Sequence, residues 1–387
     1  MALFEFQRFD SQHAFQSQAA EQAFDQLSEP LLEHGEWLLR QLQRLPEEDR
    51  WLVEQLIREG YLSEDERGRL IVTVKGIRRI AQKALQELFA VRRRDAPGRH
   101  ETPWRGSGEM QPEETRPYQF GDALSLIAAH ETLKNALQRQ AEEFRQSGPR
   151  PRLRLHEEDF VVHETLQQSR CATVVLLDMS GSMGRFGKFV QAKRVSLALR
   201  EWIRQRYPED WLEIIGFYTF TTPLHERALL LATPKEVTIF DSRVYLRFPL
   251  DRPPRHVPEH FTNLQAGLRV ARQRLVRQGC ANRQIICITD GEPTAHIEGT
   301  EMVLLYPPAE KTARLTIEEA VRCHRQGIHI STVALVDDPF YFGLTRFIQR
   351  LAAACQGLAV YCSADNLATG VLESFLTGRR FRRPWGR

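Results

Sequence analysis

Three short segments of the sequence carry oxygen-bearing side chains of the kind that bind a hard metal ion. In the segment DMSGS, the carboxylate of Asp178 is followed at steps of two residues by the hydroxyls of Ser180 and Ser182. Thr262 lies just before an amphipathic stretch, and Asp290 lies directly after an apolar run. Carboxylate and hydroxyl oxygens suit Mg²⁺, which is held by one or two carboxylates together with neutral oxygens. The residue types therefore predict a metal site, provided that the fold brings the segments together.

The glycine-rich stretch that contains DMSGS is also where a phosphate-binding loop would lie. That loop requires glycine, four further residues and then Gly-Lys-Ser/Thr. Here five residues separate Gly181 from Gly187, and Lys188 is followed by Phe189 instead of a hydroxyl residue. Both the spacing and the magnesium-binding hydroxyl are wrong, so we reject a phosphate loop.

A nucleophilic serine is a second alternative for the same stretch. Neither Ser180 nor Ser182 has the G-x-S-x-G setting of a nucleophile elbow. The carboxylate of Asp178 beside them would repel a developing oxyanion instead of stabilising it. A serine hydrolase is therefore disfavoured, and the metal site is the better interpretation of this stretch.

The C-terminal half alternates between short apolar runs and longer amphipathic segments. The strand candidates are ATVVLLD, WLEIIGFYTF, RQIICITD, IHISTVALV and LAVYC, with helix candidates between them. This alternation predicts an α/β fold in which helices cover both faces of a doubly wound, mainly parallel sheet. Such sheets bind ligands at the carboxyl ends of their strands, where the DMSGS segment and Asp290 fall.

The N-terminal half is patterned differently. Residues 1–90 are predicted to be mostly helical. From Trp51 onwards, a helix, a short β-patterned stretch and a further helix resemble the last helix, wing and following helix of a winged-helix module. Residues 91–119, rich in proline, glycine and mixed charge, read as a linker or long loop. Residues 120–169 are predicted to contain a helix and a strand that lead into a domain over 170–378, and a basic tail follows over 379–387.

Composition narrows the class of protein. The chain has 387 residues and a net charge of +3, which gives no global reason to expect nucleic acid or a membrane surface as partner. The six cysteines form no CxxC pair and are expected to be buried and reduced. The N-terminal residues lack the pattern of a signal peptide, and no apolar run is long enough to span a membrane, so we expect a cytoplasmic protein.

Three segments resemble the metal-ion-dependent adhesion site (MIDAS) of von Willebrand factor A (vWA) domains. They are, in chain order, DMSGS, the TN pair at Thr262 and the TDG segment at Asp290. The resemblance covers about residues 170–378. Carried over by position, it assigns an Mg²⁺ or Mn²⁺ ion to Asp178, Ser180, Ser182, Thr262 and Asp290. It departs from the family in two long segments, one before Thr262 and one after Asp290.

The resemblance also implies a function. In vWA domains a Glu or Asp of a partner protein completes the coordination of the ion, so the chain is expected to bind protein without catalysis. A helical N-terminal half with a C-terminal vWA domain resembles CoxE-like proteins and the magnesium chelatase D subunit, which work beside MoxR-type AAA+ ATPases. Such an ATPase would be a separate protein, and the chain an adaptor or co-chaperone. Two alternatives remain open: nucleic-acid binding through the winged-helix-like segment, and metal-dependent phosphohydrolysis.

Overall fold

The computed structural model describes residues 11–46, 50–92, 105–119, 127–147, 153–166, 170–336 and 342–380. Backbone contacts divide the chain into two compact units, one formed by Met1–Ala96 together with Arg170–Arg387 and the other by Pro97–Ser169. The first unit is therefore discontinuous in sequence. Among the described residues, no helix combines the length and the apolarity that crossing a bilayer requires.

The N-terminal part of the first unit is mostly helical, as predicted. Its elements are α1 (Ser11–Gln43), α2 (Trp51–Arg58), β1 (Leu62–Glu64), β2 (Leu70–Val72) and α3 (Val74–Arg92). β1 and β2 pair antiparallel and form a hairpin between two helices, in the order that the sequence predicts. The backbone of α1 leaves helical geometry at Gly35, where φ is 39° and ψ is −112°. Glycine adopts this conformation without the steric cost of a side chain, so α1 is bent at this position.

The second unit contains β3 (Arg105–Pro117), α4 (Ala129–Ser147) and β4 (Val161–Leu166). β3 and β4 pair antiparallel, so a strand lies where the sequence predicts only a linker. The pairing shifts register twice along β3. An interrupted register leaves no continuous period of two in the sequence, which explains why the strand was not predicted. Residues 120–126, where the helix was predicted to begin, lie outside the described residues.

The C-terminal part of the first unit is the predicted doubly wound sheet. Its strands are β5 (Cys171–Asp178), β6 (Trp211–Phe217), β7 (Thr221–Pro223), β9 (Asn282–Thr289), β12 (Ile328–Leu335) and β13 (Leu358–Cys362). The strand order is β13-β12-β9-β5-β6-β7, and all neighbours pair parallel except β6 and β7. All eight residues of β5 are buried, as expected for a central strand covered on both faces.

Helices cover both faces of this sheet. They are α5 (Lys188–Arg206), α7 (Leu264–Val276), α8 (Glu310–Arg325), α9 (Phe342–Cys355) and α10 (Leu367–Arg380). Val175 and Leu177 of β5 belong to the core beneath α5 and α10, whereas Val174 and Leu176 belong to the core beneath α7, α8 and α9. α10 continues through Arg380, so the first two residues of the predicted basic tail are helical, and residues 381–387 lie outside the described part.

The two long segments that depart from the vWA pattern are folded. They contain α6 (Glu226–Leu231), β8 (Val244–Pro249), β10 (Ala295–Glu298) and β11 (Glu301–Tyr306). The three strands form a separate antiparallel sheet in the order β10-β11-β8, which the sequence did not predict. Its partners come from both segments, so the pairing joins parts of the chain that lie on either side of α7 and β9.

The N-terminal helices share a hydrophobic core with the C-terminal sheet. Phe24 and Leu31 of α1 are fully buried in the same cluster as Phe189 and Val195 of α5. A Cβ atom on Gly35 would lie 3.4 Å from Cα of Leu231, at the end of α6. The helical region is therefore packed into the first unit as part of its core. Four of the six cysteines are buried, and all six are free thiols.

Candidate metal centre

Two carboxylates lie together at the carboxyl edge of the sheet. Asp178 is the last residue of β5, and Asp290 follows the last residue of β9. β5 and β9 are parallel neighbours, which brings the two ends side by side. Asp178 is fully buried and Asp290 is 6% exposed. Two acidic groups buried next to each other are costly unless other groups compensate their charge.

The Asp178 carboxylate is held from two directions. Its Oδ1 accepts a 2.8 Å hydrogen bond from the backbone N–H of Ser180. Its Oδ2 accepts a 2.5 Å hydrogen bond from the hydroxyl of Thr289, the last residue of β9. Burial and then the nearby charge of Asp290 raise the pKa of Asp178 to about 7. Without a further cation, ionised Asp178 is thus in an unfavourable environment.

Hydroxyls connect the DMSGS loop to the second carboxylate. Oγ of Ser180 and Oγ of Ser182 lie 3.2 Å apart. Ser182 donates a 2.6 Å hydrogen bond to Oδ1 of Asp290, and the ammonium of Lys188 lies 3.1 Å from Oδ2 of the same carboxylate. Three of the predicted site residues and one lysine therefore form a continuous chain of polar contacts.

The fifth predicted residue reaches the same place from the loop before α7. A Cβ atom added to Gly291 would lie 3.5 Å from Oγ1 of Thr262 and 3.7 Å from Oγ of Ser182. The two hydroxyls thus approach Gly291 from different loops. The neighbouring Asn263, which is fully buried, caps α7 by accepting a hydrogen bond from the backbone N–H of Ala266. This cap fixes the backbone that presents Thr262.

The DMSGS loop is also held by the two segments that precede and follow β8. The backbone N–H of Lys235 donates to the carbonyl of Met179 over 2.8 Å, and the backbone N–H of Gly181 donates to the carbonyl of His260 over 3.1 Å. A Cβ atom on Gly181 would lie only 2.6 Å from Val237, so this position requires glycine for close approach. The loop is therefore held in one position before any ligand binds.

The assembled donors fit a hard divalent cation. Within the part of the chain that the structure describes, no group of three or more His, Cys, Asp or Glu side chains could hold a metal ion. The site differs from such a group because two carboxylates are combined with three hydroxyls, at Asp178, Asp290, Ser180, Ser182 and Thr262. Oxygen donors of this kind suit Mg²⁺ or Mn²⁺ better than softer metals. A Cβ on residue 291 would lie within 3.7 Å of both the Thr262 and the Ser182 hydroxyl.

Sequence reasoning did not assign a role to Thr289 or Lys188, although both contact the carboxylates. Thr289 directly precedes Asp290 at the end of an apolar run. Its position at the end of the strand next to β5 indicates that its hydroxyl lies near Asp178, the last residue of β5. Lys188 gave no such signal, because its approach to Asp290 depends on how the turn before α5 is folded. That turn contains two residues with left-handed backbone, Phe186 at φ 55° and Gly187 at φ 66°.

Comparison with known families agrees with this architecture. Residues 171–376 match the family described as "Rv0959-like protein, vWA domain", and residues 111–165 match "Rv0959-like protein, third domain". The C-terminal half is thus a vWA domain, and the chain belongs to the Rv0959-like family. The second match falls within the β3, α4 and β4 unit, part of which the sequence reading treated as a linker.

The chain is 32% identical over 341 residues to "Uncharacterized protein Rv0959" of Mycobacterium tuberculosis (strain ATCC 25618 / H37Rv), an alignment that covers 86% of this chain and 45% of that protein. The same figures hold for "Uncharacterized protein Mb0984" of Mycobacterium bovis. The chain thus spans less than half the length of these curated relatives.

Solved structures with similar folds are more distant. The PilB minor pilin from Streptococcus sanguinis is 13% identical, with a TM-score of 0.42, and the alignment covers 60% of this chain and 66% of the pilin. The vWF domain of the type V pili tip protein Mfa5 from Porphyromonas gingivalis is 12% identical, with a TM-score of 0.38 and coverage of 57% and 98%.

Proposed function

We propose that this chain is a divalent-cation-dependent protein-binding adaptor. In this proposal Asp178, Ser180, Ser182, Thr262 and Asp290 hold one Mg²⁺ or Mn²⁺ ion, which binds an acidic side chain of a partner protein. The observation that carries the proposal is the meeting of two buried carboxylates with the hydroxyls of two separate loops at one edge of the sheet. The membership of a vWA family supports a role in protein interaction.

The donor set supports capture of an external ligand rather than a closed structural site. Three of the five donors are uncharged hydroxyls, which do not neutralise the positive charge of a divalent ion. A bound ion would therefore still attract a further carboxylate. Ser182 is exposed, whereas Asp178 is fully buried. The site is thus accessible from the side of the DMSGS loop, where a partner's Glu or Asp can approach.

Two exposed phenylalanines on the segments next to the DMSGS loop suit apolar side chains of the partner. Phe186 and Phe240 are 80% and 88% exposed, respectively. Phe186 precedes α5 beside the DMSGS loop, and Phe240 follows the segment whose Val237 packs over Gly181. An acidic residue flanked by apolar side chains would therefore gain both charge attraction and apolar burial on this surface.

We further propose that the adaptor works with a separate MoxR-type AAA+ ATPase and itself catalyses no reaction. The support for this partner is the resemblance of a helical region joined to one vWA domain to CoxE-like proteins. The shared core of α1 with α5 supports a single body in which partner binding at the metal edge and contacts of the N-terminal helices act together.

Calorimetric titration of the full-length chain with Mg²⁺ tests the metal site. We expect weak binding of one ion to the wild type and no binding to Asp178→Asn or Asp290→Asn. A pull-down with Mg²⁺ and with EDTA then tests the partner, because capture should require the ion. Equal Mg²⁺ binding by the wild type and both variants would overturn the assignment of these carboxylates.

A further inference from the structure

A lysine ammonium lies beside one of the two buried carboxylates of the site. Nζ of Lys188 is 3.1 Å from Oδ2 of Asp290, and the two side chains are 11% and 1% exposed. An ion pair that is so well shielded from water is attracted much more strongly than one on the surface. The Lys188 contact therefore compensates part of the charge of the two buried carboxylates.

A turn with left-handed backbone directly precedes Lys188 and positions its side chain. Phe186 and Gly187, which directly precede Lys188, both have left-handed backbone, with φ of 55° and 66°. A Cβ on Gly187 would meet no atom within 4 Å, so the glycine serves the backbone angle and not a close approach. A phenylalanine in left-handed backbone is strained and persists only where the surroundings require it. The strained turn sets the first residue of α5 beside Asp290.

The Lys188 contact and a bound divalent ion are in conflict. Oδ1 of Asp290 already accepts the Ser182 hydroxyl, and Oδ2 faces the ammonium. An ion placed among the hydroxyls and both carboxylates would bring two positive charges close to the ammonium in a poorly solvated place. The ring of Phe186, 5.8 Å from Nζ, offers the displaced ammonium a second partner on the exposed side.

We infer that Lys188 is an internal competitor of the divalent cation for Asp290. In the absence of the ion, the lysine holds the DMSGS loop and the end of β9 together; when the ion binds, the lysine gives up this contact. Lys188 thereby lowers the affinity for the ion and keeps the site folded without it. This inference rests on the proposed metal site, and it assigns Lys188 a role that the five donors do not have.

The test is Lys188→Met in the full-length chain, because methionine keeps the length of the side chain and removes its charge. We expect Mg²⁺ to bind to this variant about tenfold more tightly than to the wild type, as removal of a nearby like charge predicts. In EDTA the variant should melt at a lower temperature than the wild type, and saturating Mg²⁺ should reduce the difference. Lys188→Gln, which keeps a hydrogen-bond donor, serves as a second variant if Lys188→Met does not fold.

Lys235→Met is the matched control. Lys235 adjoins the same loop through its backbone bond to Met179, but its ammonium pairs with Glu259 at 2.6 Å. Its loss should leave Mg²⁺ affinity nearly unchanged. Equal affinities for the wild type and Lys188→Met would overturn the competition and leave the metal site standing, whereas no binding by any of these proteins would overturn the metal site and this inference with it.

Discussion

Ser182 donates a 2.6 Å hydrogen bond to Asp290, a residue 108 positions further along the chain. The bond joins the loop after β5 to the end of β9, and it orients one carboxylate oxygen toward the hydroxyls of the site. Gly291, the residue after Asp290, lies close to the hydroxyls of both Ser182 and Thr262.

Gly291→Ala should impair the metal site without unfolding the protein. The added Cβ would lie 3.5 Å from Thr262 Oγ1 and 3.7 Å from Ser182 Oγ, which is ordinary contact, but it would bring an apolar methyl group against both donors. We expect Mg²⁺ affinity to fall by about tenfold, a loss typical of disturbed metal sites. Calorimetry measures the affinity and thermal melting measures the fold. Gly184→Ala, whose Cβ would meet only Pro234 at 3.7 Å or more, is the control and should bind Mg²⁺ normally.

Ser180→Ala and Thr262→Ala should weaken partner binding and leave the fold intact, because both hydroxyls are presented by loops at the sheet edge. Removal of the partner's Glu or Asp should cost as much as removal of the ion. When Thr262→Ala is combined with the partner variant, the loss of binding free energy should be little more than that of either change alone. The reason is that both changes remove the same interaction, the contact between the ion and the partner's carboxylate. A double-mutant cycle on the captured complex measures this. Strictly additive losses, or capture that persists in EDTA, would show that the partner docks elsewhere.

Buried His329 should make stability depend on pH in the acid range. Burial lowers the pKa of His329 from 6.5 to about 4, so the unfolded chain binds a proton between these values while the folded chain does not. The contribution is fully present above pH 6.5 and is lost as the pH falls toward 4, by about 3 kcal/mol at 1.4 kcal/mol per pH unit.

Urea unfolding of the wild type and His329→Gln across this range isolates the effect of His329 from that of other titrating groups. The free energy of unfolding of the wild type should fall relative to the variant between pH 6.5 and 4 and stay parallel above pH 6.5. His34→Gln, at a histidine whose side chain is 56% exposed, should follow the wild type throughout. Parallel curves for the wild type and His329→Gln would contradict the prediction.

Gly35→Ala should destabilise the packing of α1 on α6. A side chain at φ 39° is strained, and its Cβ would lie 3.4 Å from Cα of Leu231, at the short end of van der Waals contact. We expect a loss of about 1–3 kcal/mol in the free energy of unfolding. Gly60→Ala separates strain from contact, because Gly60 also has positive φ, at 74°, but has nothing within 4 Å of its added Cβ. In urea unfolding, Gly60→Ala should lower the free energy of unfolding less than Gly35→Ala does. An equal loss in the two variants would show that the Leu231 contact plays no part.

The central sheet was predictable because its strands are apolar on both faces. Every residue of Cys171–Asp178 is buried, so the strand appears as an unbroken apolar run that ends at a carboxylate. The position of Asp290 after a similar run followed the same logic. The structure confirms the fold class that these two patterns predict, while occupation of the site by a metal ion stays a prediction.

Other features depend on contacts that no local pattern records. The sheet of β8, β10 and β11 joins segments on either side of α7, and Tyr245 and Tyr306 within it are exposed, so the usual alternation of buried and exposed residues is blurred. The approach of Lys188 to Asp290 depends on the left-handed turn at Phe186, which a sequence of this kind does not specify locally.

The discontinuity of the first unit has a consequence for biosynthesis. Residues 1–96 leave the ribosome before the second unit and before α5 and α6, against which α1 and α3 pack. Ribosomes add about 5–20 residues per second, so the helices wait roughly 5–20 s while residues 97–206, which end with α5, are made. During that time Phe24 and Leu31 lack the α5 side chains that later bury them. The nascent N-terminal helices therefore expose these apolar side chains for a time that the rate of translation sets.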